Sequence, residues 1–360
     1  MTSSYPARHG VLSNFTSFQQ PVVTDSELQT AAQMFRQAGY RTAAFISSGL
    51  VLGSHTGIGA GFQTFDPLRS RAPRIASETV KVVTDWLAKQ RDGRFFLWVH
   101  FWDPHDPYSP PPEYERLFKS DPDVEQYVRD TGVAERHRSE AVEANNLYDG
   151  EIRFTDHWIG ELFRAMQEHG VYDPGLIVLT SDHGEGLMQH GNMHHSDLFN
   201  DQLDIPLIIK LPEGRGQKNR RLQNLVSIID VLPLIAEELD LPFAREQFDG
   251  LNPLRHERSF VIAEQQRSRK RPGVRFNFIL RDLEWKYFLY SGGDDRLYDL
   301  KADYHEINDV IDLHTELAES MKAELLRQLE RHRRSGSGLE VNEEIPADVR
   351  EQLKSLGYVD

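Results

Sequence analysis

Four stretches of strand length in this sequence are apolar on both faces. They are TAAFIS (Thr42 to Ser47), FFLWVHF (Phe95 to Phe101), GLIVLTS (Gly175 to Ser181) and IPLIIKL (Ile205 to Leu211). A strand with one wet face alternates polar and apolar residues, whereas a strand without a polar face must be covered on both sides. Between and after these runs lie helical patterns: LQTAAQMFRQA closing at Gly39, Ile75 to Lys89, Asn146 to His169 closing at Gly170, and IIDVLPLIAEEL. Thr24-Asp25-Ser26-Glu27 reads as a capping box opening the first helix. Buried strands alternating with helices predict an α/β fold, a three-layer sandwich around a mostly parallel sheet.

After about Leu254 the rhythm changes. SFVIAEQ, FNFILRD, WKYFLYS and RLYDL are short strand patterns separated by turn residues, which predict a small antiparallel sheet closed by a helix near Asp312 to His332. Ser335-Gly-Ser-Gly338 reads as a flexible joint and Pro346 to Leu356 as a last short helix. The expected organisation is an α/β domain over 1–254, an antiparallel subdomain with its closing helix over 255–334, and a linker with a terminal helix over 335–360. The 360 residues suffice for one large core and a smaller appendage.

Forty-one basic against 56 acidic residues give a net charge of −15, which excludes general affinity for nucleic acid or anionic membrane. An anionic substrate would therefore need a local cation. The absence of cysteine removes disulfides, thiolate metal sites and cysteine nucleophiles, and leaves the compartment open. No apolar run approaches the roughly 20 residues of a membrane helix. The start, MTSSYPARHG, is no signal peptide, so a genuine start at Met1 implies a cytoplasmic protein. Of 15 histidines, His183, His190, His194 and His195 share one short segment.

Ligands of open parallel sheets gather beyond the carboxyl ends of the strands. Two strand ends here are chemically rich. FFLWVHF runs into Asp103-Pro104-His105-Asp106-Pro107-Tyr108, and GLIVLTS into Asp182-His183-Gly184-Glu185-Gly186. Asp182 and His183 offer a carboxylate oxygen and an imidazole nitrogen to one divalent ion, with Gly184 permitting a sharp turn. The plainer alternative has Asp182 capping the turn and His183 in solvent. His105 stands between two prolines that stiffen its loop, while His100 reads as a structural side chain. A zinc-protease pair would need glutamate after its first histidine, and Gly191 follows His190. Lys210, weighed as an anion clamp, reads as a surface charge. Gly57-Ile-Gly59-Ala-Gly61-Phe62 fails as a dinucleotide fingerprint, because phenylalanine replaces the last glycine and no helix follows.

Taken in order, YPARHGV, QAGYRTAAFIS, GFQTFD, FFLWVHFWDPHDPY, YDGEIRFTDHWIGELF, LIVLTSDHGEGLMQHG, LFNDQLDIPLIIKLP, SIIDVLPLI, LYDL and LKSLGYV resemble the sulfatases of the alkaline phosphatase superfamily. The resemblance implies a metal-dependent hydrolase of sulfate monoesters, acting on a small-molecule or glycan sulfate ester. Asp182 and His183 then correspond to half of the family's metal site, with calcium or manganese as the ion. His105 corresponds to the histidine that contacts the sulfate or assists the leaving group. His195, ahead of His194, falls where the family places a donor to the ester oxygen. The nucleophile implied is a formylglycine made from Cys or Ser in a C/S-x-P-x-R motif.

The family's first strand, with paired metal-binding aspartates, and the nucleophile motif after it have no counterpart here. The resemblance thus implies an amino-terminally truncated sulfatase, inactive or weakly active alone, with sheet surface open to self-association. Ser4-Tyr5-Pro6-Ala7-Arg8 satisfies S-x-P-x-R literally, but its surroundings match a later family segment, and residues near a terminus fray unless tied down. Ser4 is therefore not expected to be the nucleophile. A lysine and histidine that many arylsulfatases carry after the first retained strand are replaced by Ser47-Ser48-Gly49. The rival readings are a phosphonate or phosphate ester hydrolase of the same superfamily and a non-catalytic binding protein that keeps the pocket.

Overall fold

A computed structural model describes residues 1–9, 28–48, 52, 57–68, 72–90, 93–119, 121–195, 197–215, 220–266, 276–291 and 293–334. After a short helix at Pro6–His9, the helix Ala31–Gln37 is opened by Thr30, whose hydroxyl accepts from the Gln33 N–H while the Gln33 side-chain oxygen accepts from the Thr30 N–H. The box is thus Thr30/Gln33. Residues 24–27 lie outside the described residues, and Leu28 and Gln29 precede the helix without joining it.

Strands β1 (Arg41–Phe45), β2 (Thr64–Asp66) and β3 (Phe95–Val99) form a parallel sheet in the order β2-β1-β3, with Ala43 opposite Leu97. Helices cover both faces. Ala43 and Phe45 pack on Val80, Val83 and Leu87 of the helix Ala76–Leu87 and on Leu162 of the long helix Arg138–Glu168. On the other face Met34 and Phe35 meet Leu232 and Ala236 of the helix Val231–Glu238, and Phe35 stacks on Phe96 with ring centroids 4.3 Å apart. The long helix begins earlier than its apolar pattern suggests, at Arg138. Two helices in the same connection, Pro112–Phe118 and Pro122–Asp130, start on prolines, whose missing N–H costs nothing in a first turn.

Among the described residues, the remaining buried runs are not hydrogen-bonded to this sheet. Strands β4 (Ile177–Thr180) and β7 (Leu207–Lys210) pair with each other, antiparallel, and between them lies the hairpin of β5 (Gly186–Leu187) and β6 (Met193–His194). Within the expected α/β sandwich, pairing among the described residues is parallel in β2-β1-β3 and antiparallel in β4-β7. A parallel return needs a crossover element that carries the chain back along the sheet. Besides the hairpin and a 3-10 turn at its tip, the described residues of the connection from β4 to β7 hold one α-helix, Asn200–Leu203, about 6 Å long at 1.5 Å per residue. Leu207 therefore starts at the end where β4 stops. Among the described residues, β3 is hydrogen-bonded on its β1 side and β4 on its β7 side.

Strands β8 (Val261–Gln266), β9 (Phe276–Arg281), β10 (Trp285–Tyr290) and β11 (Arg296–Asp299) build the expected antiparallel sheet, in the order β11-β10-β9-β8. The helix Thr315–Arg334 lays Ala318, Met321, Leu325 and Leu329 on Phe278, Leu280, Tyr287 and Leu289. Ile279, Phe288 and Tyr298 on the opposite face bury Leu198 and Phe199. The amino-terminal residues are tied down rather than frayed: Ala31 N–H donates to Met1 O, Tyr5 N–H to Asp249, and Tyr5 stacks on His332 at 3.9 Å. Among the described residues no helix is long and apolar enough to cross a membrane. The expected joint at 335–338 and the helix at 346–356 lie outside the described residues.

Candidate active site

The first corner of the site is the loop leaving β3. Glu151, from the long helix, accepts the Ser109 N–H at 2.6 Å, and the Asp103 carboxylate lies against the Ala76 N–H at the start of a second helix. The loop is thereby anchored at both ends. Asp103 and Glu151 also line a cavity of about 350 Å³ behind it, and each has a carboxylate oxygen without a hydrogen-bond partner among the described residues. Burial raises both pKa values, that of Glu151 to about 7. Within the loop His105 stacks on Trp102 at 3.8 Å. Its Nδ1 lies 2.7 Å from Asp106 O, and because a carbonyl only accepts, Nδ1 carries the proton and Nε2 is left for other partners.

The second corner follows β4. Asp182 Oδ1 accepts the His183 N–H at 3.0 Å. His183 Nδ1 donates to Gly184 O at 2.8 Å, which turns Nε2 outward, 3.8 Å from Asp182 Oδ2. Gly184 serves a close approach rather than the expected sharp turn. Its N–H donates to Gln202 O and that of Glu185 to Asp201 O, so the two backbones run against each other, and a Cβ at 184 would stand 2.2 Å from Asp201 O.

The β5–β6 hairpin then returns the chain to this corner, where it brings in His195. The His195 ring lies 4.1 Å from that of His183 and 5.6 Å from that of His105. Three imidazoles from two strand ends thus converge. His194 sits on the hairpin ladder opposite Gly186, and its ring makes neither of those contacts. Behind the cluster is Glu185, whose side chain is 4% exposed, with Oε1 3.6 Å from His195 Nδ1 and 3.9 Å from His194 Nδ1. The Glu185 carboxylate raises the His195 pKa against the opposing pull of burial. Tyr108 places its hydroxyl beside Glu185, and burial together with that carboxylate raises its pKa, keeping the phenol neutral. The sequence reading did not single out Glu185; its signal was an acid between two glycines beside a histidine cluster.

His100, read as structural, ends β3 with Nδ1 accepting the Ser47 N–H at 3.3 Å. Burial lowers its pKa, and Asp182 and His105 are near enough to act on it electrostatically. It stands at the rim of the cluster. Ser47 also donates to His100 O, so the serine at the substituted arylsulfatase position fastens β1 to β3. His190 belongs elsewhere: it stacks on Phe199 at 3.6 Å, and burial lowers its pKa to about 4. Lys210 is neither an anion clamp nor a free surface charge, because it donates to the carbonyls of Tyr172, Asp173 and Gly175. Ser4 is buried with its hydroxyl 2.8 Å from that of Thr2, in a segment held by Ile229, Asp249 and Ala31. The fold does not bring it to the histidines. Gly61 touches the backbone of the helix Ala31–Gln37, a packing role for the failed fingerprint.

Asp182 Oδ2 and His183 Nε2 present one hard and one borderline donor at a spacing that a shared divalent ion spans, so this pair fits such an ion. Among the described residues no three His, Asp or Glu side chains are placed to hold one metal ion together.

The Sulfatase family model matches residues 1–241. The chain belongs to the sulfatase family. Arylsulfatase K of Bos taurus is 26% identical over 186 residues, covering 48% of this chain and 34% of that protein, so the chain spans about a third of this relative's length. The multifunctional alkaline phosphatase superfamily protein PehA of Trinickia caryophylli is 26% identical over 295 residues, 67% of this chain and 57% of that one. Among solved structures, the phosphonate monoester hydrolase of Agrobacterium radiobacter superposes with a TM-score of 0.75 at 20% identity, covering 92% of this chain and 84% of that chain. A 2-O GAG sulfatase does so with 0.72 at 17% identity, covering 95% and 82%. These likenesses establish the fold, an alkaline phosphatase-like α/β sandwich with a small antiparallel sheet, for this sulfatase-family chain.

Proposed function

We propose that this chain carries the oxyanion-holding and proton-donating part of a metal-dependent hydrolase of sulfate monoesters, with a small-molecule or glycan sulfate as substrate. The observation that carries the reading is the convergence of His105, His183 and His195 in front of Glu185. In a chain of net charge −15, such a concentration of imidazoles is a local counterweight for an anion.

Asp182 and His183 would hold the divalent ion, calcium or manganese, which when bound supplies positive charge to the sulfate oxygens. His105, its Nδ1 proton engaged by Asp106 O, contacts the sulfate through Nε2 as an imidazolium, whose second proton that nitrogen donates. His195 directs Nδ1 at Glu185, so its imidazolium carries a second proton on Nε2 for the departing ester oxygen. Glu185 thereby orients the ring and stabilises its charge, with the Tyr108 hydroxyl beside the carboxylate. Attack on sulfur has no donor among the described residues of the cluster, since Ser181 Oγ donates to His183 O and Ser4 lies in another part of the fold. The chain alone therefore turns over little or no substrate, and the one-sided pairing of β3 and β4 favours self-association.

The test is hydrolysis of matched aryl sulfate, phosphate and phosphonate monoesters with calcium or manganese, alongside manganese binding followed by electron paramagnetic resonance. The expected result is manganese binding that Asp182→Asn and His183→Ala each weaken at least tenfold, with little ester cleavage. Sulfate hydrolysis abolished by Ser4→Ala overturns the assignment of the nucleophile. Preferential cleavage of phosphonate esters favours the second reading, a phosphonate ester hydrolase, which the imidazole of His183 beside Asp182 and the likeness to a phosphonate monoester hydrolase support. A sulfated glycan bound but never cleaved favours the binding protein.

A further inference from the structure

The β5–β6 hairpin has a second chemical surface at its tip. There His190 and Asn192 face Asn277 of β9, Tyr290 of β10, Arg296 of β11 and Asp294 across a cavity of about 370 Å³. The size falls within the roughly 300–1,000 Å³ of small-ligand pockets. Phe199 and Ile307 supply apolar surface, and the rest of the lining is polar.

Two observations point to a ligand in this space. Asn277 is 2% exposed, yet its Oδ1 has no hydrogen-bond partner among the described residues. An acceptor left unpaired in the interior costs on the order of 1–3 kcal/mol, which a ligand hydroxyl would recover. Arg296 lies over the Tyr290 ring at 5.5 Å and reaches the Tyr298 hydroxyl at 3.5 Å, which leaves most of its five N–H donors for other partners.

The charges identify the class of ligand. Asp294, exposed at the rim, and Asp197 contribute carboxylates beside the single Arg296 guanidinium, while Glu306 is matched by the buried Lys286 at 2.8 Å. Burial keeps His190 neutral at pH 7. An anionic ligand would be repelled by the aspartates. A polyol satisfies both signs, donating its hydroxyls to the carboxylates and to Asn277 Oδ1 and accepting from Arg296 and Asn192. Asn192 and His195 are three residues apart, at most about 10 Å of chain, so the two surfaces lie within reach of one chain-like molecule.

We propose that this cavity is a subsite for an uncharged sugar unit, the part of a sulfated glycan that the histidine cluster does not touch. The proposal rests on the sulfate ester reading and selects the glycan over the small molecule. It is tested by applying the fluorescently labelled full chain to an array of neutral and acidic oligosaccharides. The expected result is retention of neutral glycans, reduced at least tenfold by Arg296→Ala and by Asn277→Ala and unaffected by His183→Ala. Asp294→Ala, at an exposed position, serves as a third probe should Asn277→Ala lose its circular dichroism spectrum. Retention of acidic glycans only, of no glycan, or retention insensitive to Arg296→Ala and Asp294→Ala overturns the subsite. Neutral glycans held by a chain that neither binds manganese nor cleaves any ester leave the subsite standing and remove the sulfate reading.

Discussion

The two sheets of this chain are equally apolar in sequence and unequally buried in the fold. Phe278, Ile279 and Leu280 of β9 and Tyr287, Phe288 and Leu289 of β10 are at most 2% exposed. β3, with the sequence FFLWV, is only half-buried along its length, and β4 ends in an exposed Thr180. The difference lies in neighbours. β9 and β10 are hydrogen-bonded on both sides and covered on both faces, whereas among the described residues β3 and β4 are each paired on one side. Strand hydrophobicity therefore does not measure burial, which requires layers and partners to be in place. The histidine cluster sits at the ends of the two thinly covered strands, where an incoming ligand can reach it.

The strongest way to break this comparison is to disrupt the well-covered sheet from within. Lys286 and Glu306 are both fully buried and paired at 2.8 Å. Lys286→Met leaves the glutamate without its cation and is expected to cost about 3–5 kcal/mol in urea unfolding, much of which Glu306→Leu in the same chain should return. Matched truncations sharpen the contrast next. Leu280→Ala, at a position with no exposure, is expected to cost about 2–5 kcal/mol, and Leu97→Ala on β3 about half as much. Equal losses would show that β3 is as well supported as β9.

A pH series probes the loop anchor. Burial pushes the Glu151 carboxyl up to about 7 from an ordinary 4.5, so the folded chain keeps a proton that the unfolded chain has already released. Stability due to this group is full below pH 4.5 and falls as pH rises through 7, by on the order of 2–3 kcal/mol. Glu151→Gln should flatten that slope, leaving the contributions of Asp201 and Glu264, whose carboxyls burial also pushes up to about 7. The smallest effect is expected at Ile208 on β7, which is 62% exposed. Ile208→Ser should change stability by less than about 0.5 kcal/mol while lowering self-association in light scattering.

Much of this arrangement was legible from local pattern. The four antiparallel strands, the helix that closes them, and the strand ends at Asp103 and Asp182 follow from apolar periodicity and turn residues. Neither the split of the central sheet nor the direction of β7 could be read that way, because an apolar run does not record which strand lies beside it. The preference for His195 over His194 was legible from the order of motifs, whereas its contacts with the His183 and His105 rings were visible only in the fold. Glu185 emerged only when packing enclosed it among groups distant in sequence, such as Tyr108.

What the sequence determined by itself is the set of elements, the family, and the chemical character of each strand end, since these depend on neighbouring residues and on the order of motifs. Only the tertiary structure decided which side chains meet. It set the Gly184 backbone against residues 201–202, carried Ser4 away from the cluster, and brought His105 and His195 together across 90 residues of chain. Such contacts are fixed by the packing of whole layers, a long-range property that no short stretch of sequence contains.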